Sequence, residues 1–192
     1  FGMGMKTASF SLGKQLLVIS KQKDEINNAE WNLEYVENED KWEILIHSDE
    51  KIDTYIKSKT DKIEFQNWDE GTLISLSMLD KLIDENNMQK SKVKFYKTVE
   101  KVKKHLAMIF HRFIEEDNLQ IYVNKNLLEA WNPFIRQNPA TMELACEELF
   151  DGKTIVSIEP YILPHKTKFE DEEAFKKAGG AKDWLAHQGF YV

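Results

Sequence analysis

The chain has little of what would decide its class at once. It carries one cysteine, Cys146, so it can form no disulfide within itself. No Cys/His grouping surrounds that residue, and a reducing, cytoplasmic setting is expected. Four prolines and eight glycines in 192 residues exclude a collagen-like or linker-rich chain. No apolar run approaches the ~18–20 residues that span a bilayer, so no membrane partner is expected. No signal peptide is visible, and a chain that opens on Phe1 rather than Met is expected to be a fragment. Basic residues are outnumbered, 26 Lys+Arg against 33 Asp+Glu, for a net charge of -7. That balance argues against nucleic-acid binding by the whole surface, though not by a local patch.

What is present is ordinary globular material, 42 % hydrophobic and 31 % charged, enough for one domain of average size or two small ones. The pattern predicts a loop at Gly2 to Gly4, a short helix from Met5 to about Leu12 stopped at Gly13, and a buried strand over 15–20 (QLLVIS). Alternation predicts further strands over 31–36 and 42–46 in an antiparallel meander, and another over 71–76. The segment 51–61 is charged and unassigned, and 78–84 reads as a short helix.

The strongest periodicity runs from Ser91 to about Glu116. Phe95, Val99, Val102, Leu106, Ile109 and Phe113 step by three or four and predict an apolar stripe along one helix. Lys90, Lys94, Lys97, Lys101 and Lys104 keep the same step, and at ~100° per residue they point roughly 140° away from the stripe. This basic roof is either a solvated face or a contact for DNA or an acidic partner. Beyond it come a hairpin at 119–128, a loop, an acidic helix at 142–150 capped by Thr141, a strand at 153–161, a helix at 170–177 ended by Gly179-Gly180, and a strand from Gly189.

Few groups suggest chemistry by themselves. His105 and His111 lie six apart on a helix, about 120° around it, which suits no shared metal. His111-Arg112 reads as dipole compensation near a helix end. His47, His165 and His187 show no ligand spacing with Cys146, and no metal site is expected. Trp31, Trp42, Trp131 and Trp184 read as core or interface anchors. The opening Gly2-Met3-Gly4-Met5-Lys6-Thr7 is different. Two glycines two apart let backbone N–H groups approach a ligand, and a following helix N-terminus adds partial positive charge. Lys6 and Thr7 add a cation and a hydroxyl. The stretch lacks the spacing of a Walker A loop and the third glycine of a Rossmann fingerprint.

The order of elements sharpens this. G-x-G-x-K-T, helix, the strand LLVISK, further strands and then Gly71-Thr72 resembles the back half of the GHKL ATPase fold of gyrase B, Hsp90, histidine kinases, MutL and MORC proteins. The later stretches HLAMIFHRFIEEDNLQIYVNKNLLEAWNPF and YILPHKTKF look like a bacterial MORC- or MutL-like ATP-binding protein.

The resemblance implies an α+β fold in two parts. Residues 1–116 would be the C-terminal half of a GHKL sandwich, and 117–192 most of a ribosomal-S5-like transducer domain. It implies that Gly2 to Thr7 closes the ATP lid on the phosphates, and that Gly71 and Thr72 lie beside the adenine. Lys166 or Lys168 of the transducer loop would sense the γ-phosphate, with Lys166 preferred. The intact protein would bind ATP and Mg²⁺, form a homodimer and use hydrolysis as a conformational clock, in DNA repair or defence. The family's general base, Mg²⁺-binding Asn and adenine-recognising Asp all lie upstream of the second glycine box. No ATPase activity is therefore expected from this chain alone. The competing readings are a non-enzymatic binding or dimerisation platform and an Hsp90-like chaperone ATPase.

Overall fold

The computed structural model describes residues 3–60, 65–180, 184–187 and 189–191. The chain forms two compact units, Phe1–Tyr96 and Lys97–Val192. In the first, α1 covers Met3–Phe10 and β1 covers Gln15–Gln22. The expected loop at Gly4 is corrected: the helix begins two residues earlier than expected, at Met3, and Gly4 lies inside it. Gly13 separates the two elements. A Cβ there would meet the backbone oxygens of Ser77 at 2.7 Å and Met78 at 2.8 Å, which cannot swing aside. Gly13→Ala is therefore expected to destabilise the first unit by about 1–3 kcal/mol, read as a lower urea midpoint at unchanged slope.

The central strand β1 pairs antiparallel with β2 (Glu25–Asn32) on one side and β3 (Glu70–Ser77) on the other. The strands expected over 15–20 and 71–76 are thus present. The strand expected over 31–36 is corrected: β2 ends at Asn32, whose side chain accepts from the N–H groups of Glu34 and Tyr35 and starts α2, Leu33–Glu39. Nor is 42–46 a strand. Leu45 alone bridges to Glu30, and the Asn28 amide occupies both the N–H and the C=O of His47. The unassigned charged segment is α3, Asp49–Thr60, with acids in its first turn and lysines in its last, as the helix dipole favours. The helix expected at 78–84 is a turn, entered through Met78 at φ 53°, with the Asp80 N–H donating to the Met78 carbonyl.

Because side chains alternate along a strand, the sheet has two distinct faces. On one, Leu17 and Ile19 pack with Ile52 and Ile56 of α3 and with Phe65, joined by Ile26, Tyr55 and Leu73. On the other, Leu16 and Trp31 are buried beside α1, whose Lys6 Nζ lies 4.7 Å from the Trp31 ring centroid.

The long helix α4, Met88–Ile109, begins in the first unit and ends in the second; α5, His111–Glu115, follows after a break at Phe110. The single helix expected over 91–116 is corrected at that break. Its expected apolar floor is corrected too. Phe95, Val102, Ile109 and Phe113 are exposed, and the buried residues are Ser91, Ala107 and His111. A small side chain at Ala107 lets the Trp131 N–H reach the Ala107 carbonyl.

In the second unit, β4 (Tyr122–Val123) and β5 (Asn126–Leu127) form the expected hairpin, with Asn124 and Lys125 both at positive φ in the two-residue turn. The acidic helix expected at 142–150 is instead β6 (Met142–Glu143) and β7 (Glu147–Phe150). Thr141 does not cap it: its hydroxyl donates to the Ile135 carbonyl. The expected strand over 153–161 is β8 (Ile155–Ile158), which pairs with β7, followed by β9 (Tyr161–Ile162), which pairs with β6. A helix, α6 (Glu172–Ala178), ends at Gly179 as expected. The Trp184 ring packs against Gly179 and the Trp131 ring against Gly180, which sits at φ +75°. Residues 189–191 form no strand. Among the described residues, no helix is long and apolar enough to cross a membrane.

Candidate functional site

The first unit leaves part of one sheet face open, the face that carries α1. At one end of it, Trp31, Leu16 and Leu76 stand in register, with Trp31 and Leu16 buried. The next two rows are Ala29–Val18–Ile74 and Asn27–Ser20–Thr72. In those rows Ile74 is 51 % exposed, and Ser20, Asn27 and Thr72 are also exposed. The open patch therefore has an apolar row and a polar row. Thr72 stands about 13 Å along β3 from the covered end, at ~3.3 Å per residue.

Gly2 lies outside the described residues. Met3, Gly4, Met5 and Thr7 are exposed on α1, and Lys6 is half-buried. A helix leaves its first backbone N–H groups without intrahelical partners, so donors exist where the loop was expected, supplied by the helix end instead. No acidic residue stands in that first turn. A Cβ on Gly4 would meet nothing within 4 Å, so protein packing places no demand for glycine there. Gly71 is the opposite case: its missing Cβ leaves room for the Trp68 ring, 2.7 Å from where that atom would sit. Gly71 thus has a packing role, and Thr72 carries the exposed hydroxyl. The structure brings the α1 residues and Thr72 to the same sheet face.

Lys166 and Lys168 lie in a one-turn 3-10 helix of the second unit, Lys166–Lys168, whose first N–H groups are capped by His165. Both lysines are exposed. They differ in surroundings: Lys166 helps hold the Glu172 carboxyl below its usual range, after the larger effects of Lys176, while the Lys168 carbonyl accepts from Asn138. Lys90, Lys94, Lys97, Lys101 and Lys104 are all exposed on α4. That helix holds seven lysines against one glutamate, within a chain whose net charge is -7.

One polar cluster escaped the sequence. Glu30 is buried on the α3 face, opposite the open patch. Its carboxylate accepts from Gln15 Nε2 at 2.7 Å, from Asn32 Nδ2 at 3.3 Å and from His47 Nε2 at 2.7 Å. Lys51 Nζ lies 3.0 Å from His47 Nδ1. An ammonium only donates, so Nδ1 accepts and Nε2 carries the proton given to Glu30. The available signal was a glutamate at an inward strand position two residues before Asn32, which pairs with Gln15; Glu30 itself pairs with Leu17. The cluster ties residues 45–51 to β2 and takes no part in the open face.

A family profile, described as histidine kinase-, DNA gyrase B-, and HSP90-like ATPase, matches residues 1–70. Neither a curated protein nor a solved structure matches the chain. The match covers 70 of the 192 residues, the segment that builds α1, β1, β2, α2 and α3, and the similarity to GHKL-type ATPases is confined to it. Proteins of that type bind ATP, commonly with Mg²⁺, and commonly dimerise.

Proposed function

We propose that the first unit contributes the phosphate-closing helix and the sheet floor of a GHKL-type ATP site. The observation that carries this is the open sheet patch shared by α1 and Thr72: α1, β1 and β2 lie within the residues 1–70 that match the ATPase profile, and Thr72 follows two residues beyond them on β3. The backbone N–H groups of Gly4 and Met5, with Lys6 and Thr7, would hold phosphate oxygens through charge-assisted hydrogen bonds. Lys6 rests over Trp31 and would exchange that contact for the phosphate. The polar row with Thr72 and the apolar row with Val18 and Ile74 suit the mixed character of a base and ribose. When bound, ATP would supply the hydrolysable anhydride and the negative phosphate charge that draws these groups in, which Mg²⁺ would partly offset. Among the described residues, no three His, Cys, Asp or Glu side chains converge to hold a metal, so no step is assigned to Mg²⁺ here.

In this reading the second unit is an S5-like transducer. Lys166 or Lys168 reports the γ-phosphate to it, and ATP binding drives homodimerisation. The lysine roof of α4 meets DNA. The test is nucleotide titration of this chain and of the full gene product. The full product is expected to bind ATP, and Lys6→Ala to weaken that binding about tenfold, the worth of one charged hydrogen bond. This chain alone is expected to show no Mg²⁺-dependent hydrolysis. ATP-independent behaviour of the full product would favour a plain dimerisation module. For the roof, Lys94, Lys97 and Lys101 changed together to Glu should abolish salt-dependent DNA binding; unchanged affinity would make it a solvated surface.

A further inference from the structure

The second unit contains a cleft of about 470 Å³ between α5, the loop around Phe134, β6 and β9. Four carboxylates, Glu115, Glu116, Glu143 and Glu159, line it against two guanidinium groups, Arg112 and Arg136. Arg136 is paired in bidentate fashion: its Nε and Nη2 donate to the two Glu143 oxygens at 2.8 and 3.3 Å. Arg112 reaches Glu159 only at 3.5 Å. Glu115 and Glu116 are held by amides, Asn132 donating to Glu115 at 2.9 and 3.2 Å and Asn118 to Glu116 at 3.0 Å. Among the described residues neither has a cationic partner.

A second feature of the wall asks for a donor. His111 is 5 % exposed, and its Nδ1 lies 2.7 Å from the Met108 carbonyl oxygen. A carbonyl only accepts, so Nδ1 carries the proton and Nε2 is left as an acceptor. That Nε2 is buried and has no partner among the described residues. Beside it, Phe134 stacks on Tyr161 with ring centroids 4.5 Å apart, and the Arg136 guanidinium already lies 5.9 Å from the Tyr161 ring centroid. Burial holds the Tyr161 phenol above its ordinary range despite the opposing charge of Arg136, and its hydroxyl donates to Glu159.

The cleft thus offers carboxylate oxygens with lone pairs beyond those its amides and guanidinium groups use, and one imidazole lone pair without a partner among the described residues. We propose that this cleft binds a small organic cation carrying a guanidinium or primary ammonium group. Such a cation matches the carboxylate excess, donates several hydrogen bonds and is attracted by aromatic faces. Its volume falls in the range of small-molecule sites. The carboxylates would repel a phosphate, so the cleft is separate from the nucleotide reading and stands without it. A bare metal ion fits less well, since no ligand set converges here among the described residues. The same chemistry can arrive free, as a diamine or agmatine, or as an arginine or lysine side chain on a peptide.

The test is calorimetric titration of the full chain with agmatine and spermidine, and separately with an end-blocked arginine tripeptide. Saturable binding of either class supports the proposal and names the source. Glu115→Gln with Glu116→Gln is expected to weaken it about tenfold. Arg112→Gln, which removes a competing cation, is expected to strengthen it. Glu172→Gln with Glu173→Gln, on α6 outside the cleft, is expected to change nothing. Absence of saturation up to about 10 mM of every probe would overturn the proposal. So would equal weakening by both double variants, which would mark simple attraction to a negatively charged chain.

Discussion

Glu30→Ala is expected to destabilise the first unit by about 3 kcal/mol. Three donors, on Gln15, Asn32 and His47, converge on this buried carboxylate, and alanine would leave all three without it. It would also release the His47 ring from β2, while the backbone bridge to Leu45 and the Asn28 bonds to the His47 backbone remain. Glu30→Gln keeps the size and one acceptor, so about 1–2 kcal/mol is expected there. The charge adds a pH signature. Burial alone raises the Glu30 carboxyl, but the hydrogen bonds from Gln15, His47 and Asn32 together outweigh it. The group is held below its ordinary value of 4.5. A carboxyl that ionises more readily in the folded state stabilises the fold fully above its unfolded value, and that contribution disappears as pH falls through the folded value. The difference in urea midpoint between the wild type and Glu30→Gln should therefore be constant near neutrality and shrink below pH 4.5. A difference that persists unchanged into acid would show that the carboxylate charge contributes nothing.

Ile56→Ala is expected to cost about 2–5 kcal/mol, comparable with the whole margin of a small unit. Ile56 is fully buried in the cluster of Leu17, Ile19, Ile52 and Phe65, with Ile26, Tyr55 and Leu73 packed against it, so its truncation leaves a cavity in the core of the first unit. Ile56→Val should cost far less, about 0.5–1.5 kcal/mol, because most of the volume remains. Denaturant unfolding followed by circular dichroism, with Trp31 fluorescence as a reporter of the first unit, distinguishes the two. Near-equal midpoints for Ile56→Ala and wild type would mean that α3 does not cover the sheet.

Legibility in the sequence followed the range of the interactions. The run QLLVIS is apolar over consecutive residues, which only a strand buried on both faces accommodates here, and it became the centre of the sheet. The Asn124-Lys125 turn and the Gly179 helix end rest on local backbone preferences and were equally legible. Alternation over 31–36 and 42–46 misled, because period-two patterning is shared by strands and by short amphipathic pieces. The deciding contacts were side chain to backbone: Asn32 capping α2, and Asn28 holding His47. Thr141 could have capped a helix by residue type, yet its hydroxyl serves the Ile135 carbonyl six residues earlier. In the candidate site, Lys6, Thr7 and Thr72 were legible as a motif order, while the reason for Gly71 was not. It answers the Trp68 ring, and no spacing rule announces a ring that folds back over its own strand.

By itself, then, the sequence determined the absence of disulfides, the balance of charge, the central strand, the tight turns and the order of motifs that points to a nucleotide fold. Each depends on composition or on residues within a few positions of one another. Tertiary structure alone decided that α1 and Thr72 share a sheet face with an open patch, since that follows from the pairing of β1 with β3 across more than fifty residues. It alone buried Glu30 against His47, left the α4 stripe exposed, and gathered the carboxylates of the second unit around one cleft. Such groupings arise when distant segments fold together, where the cost of desolvating each group is set by neighbours that the linear order does not display.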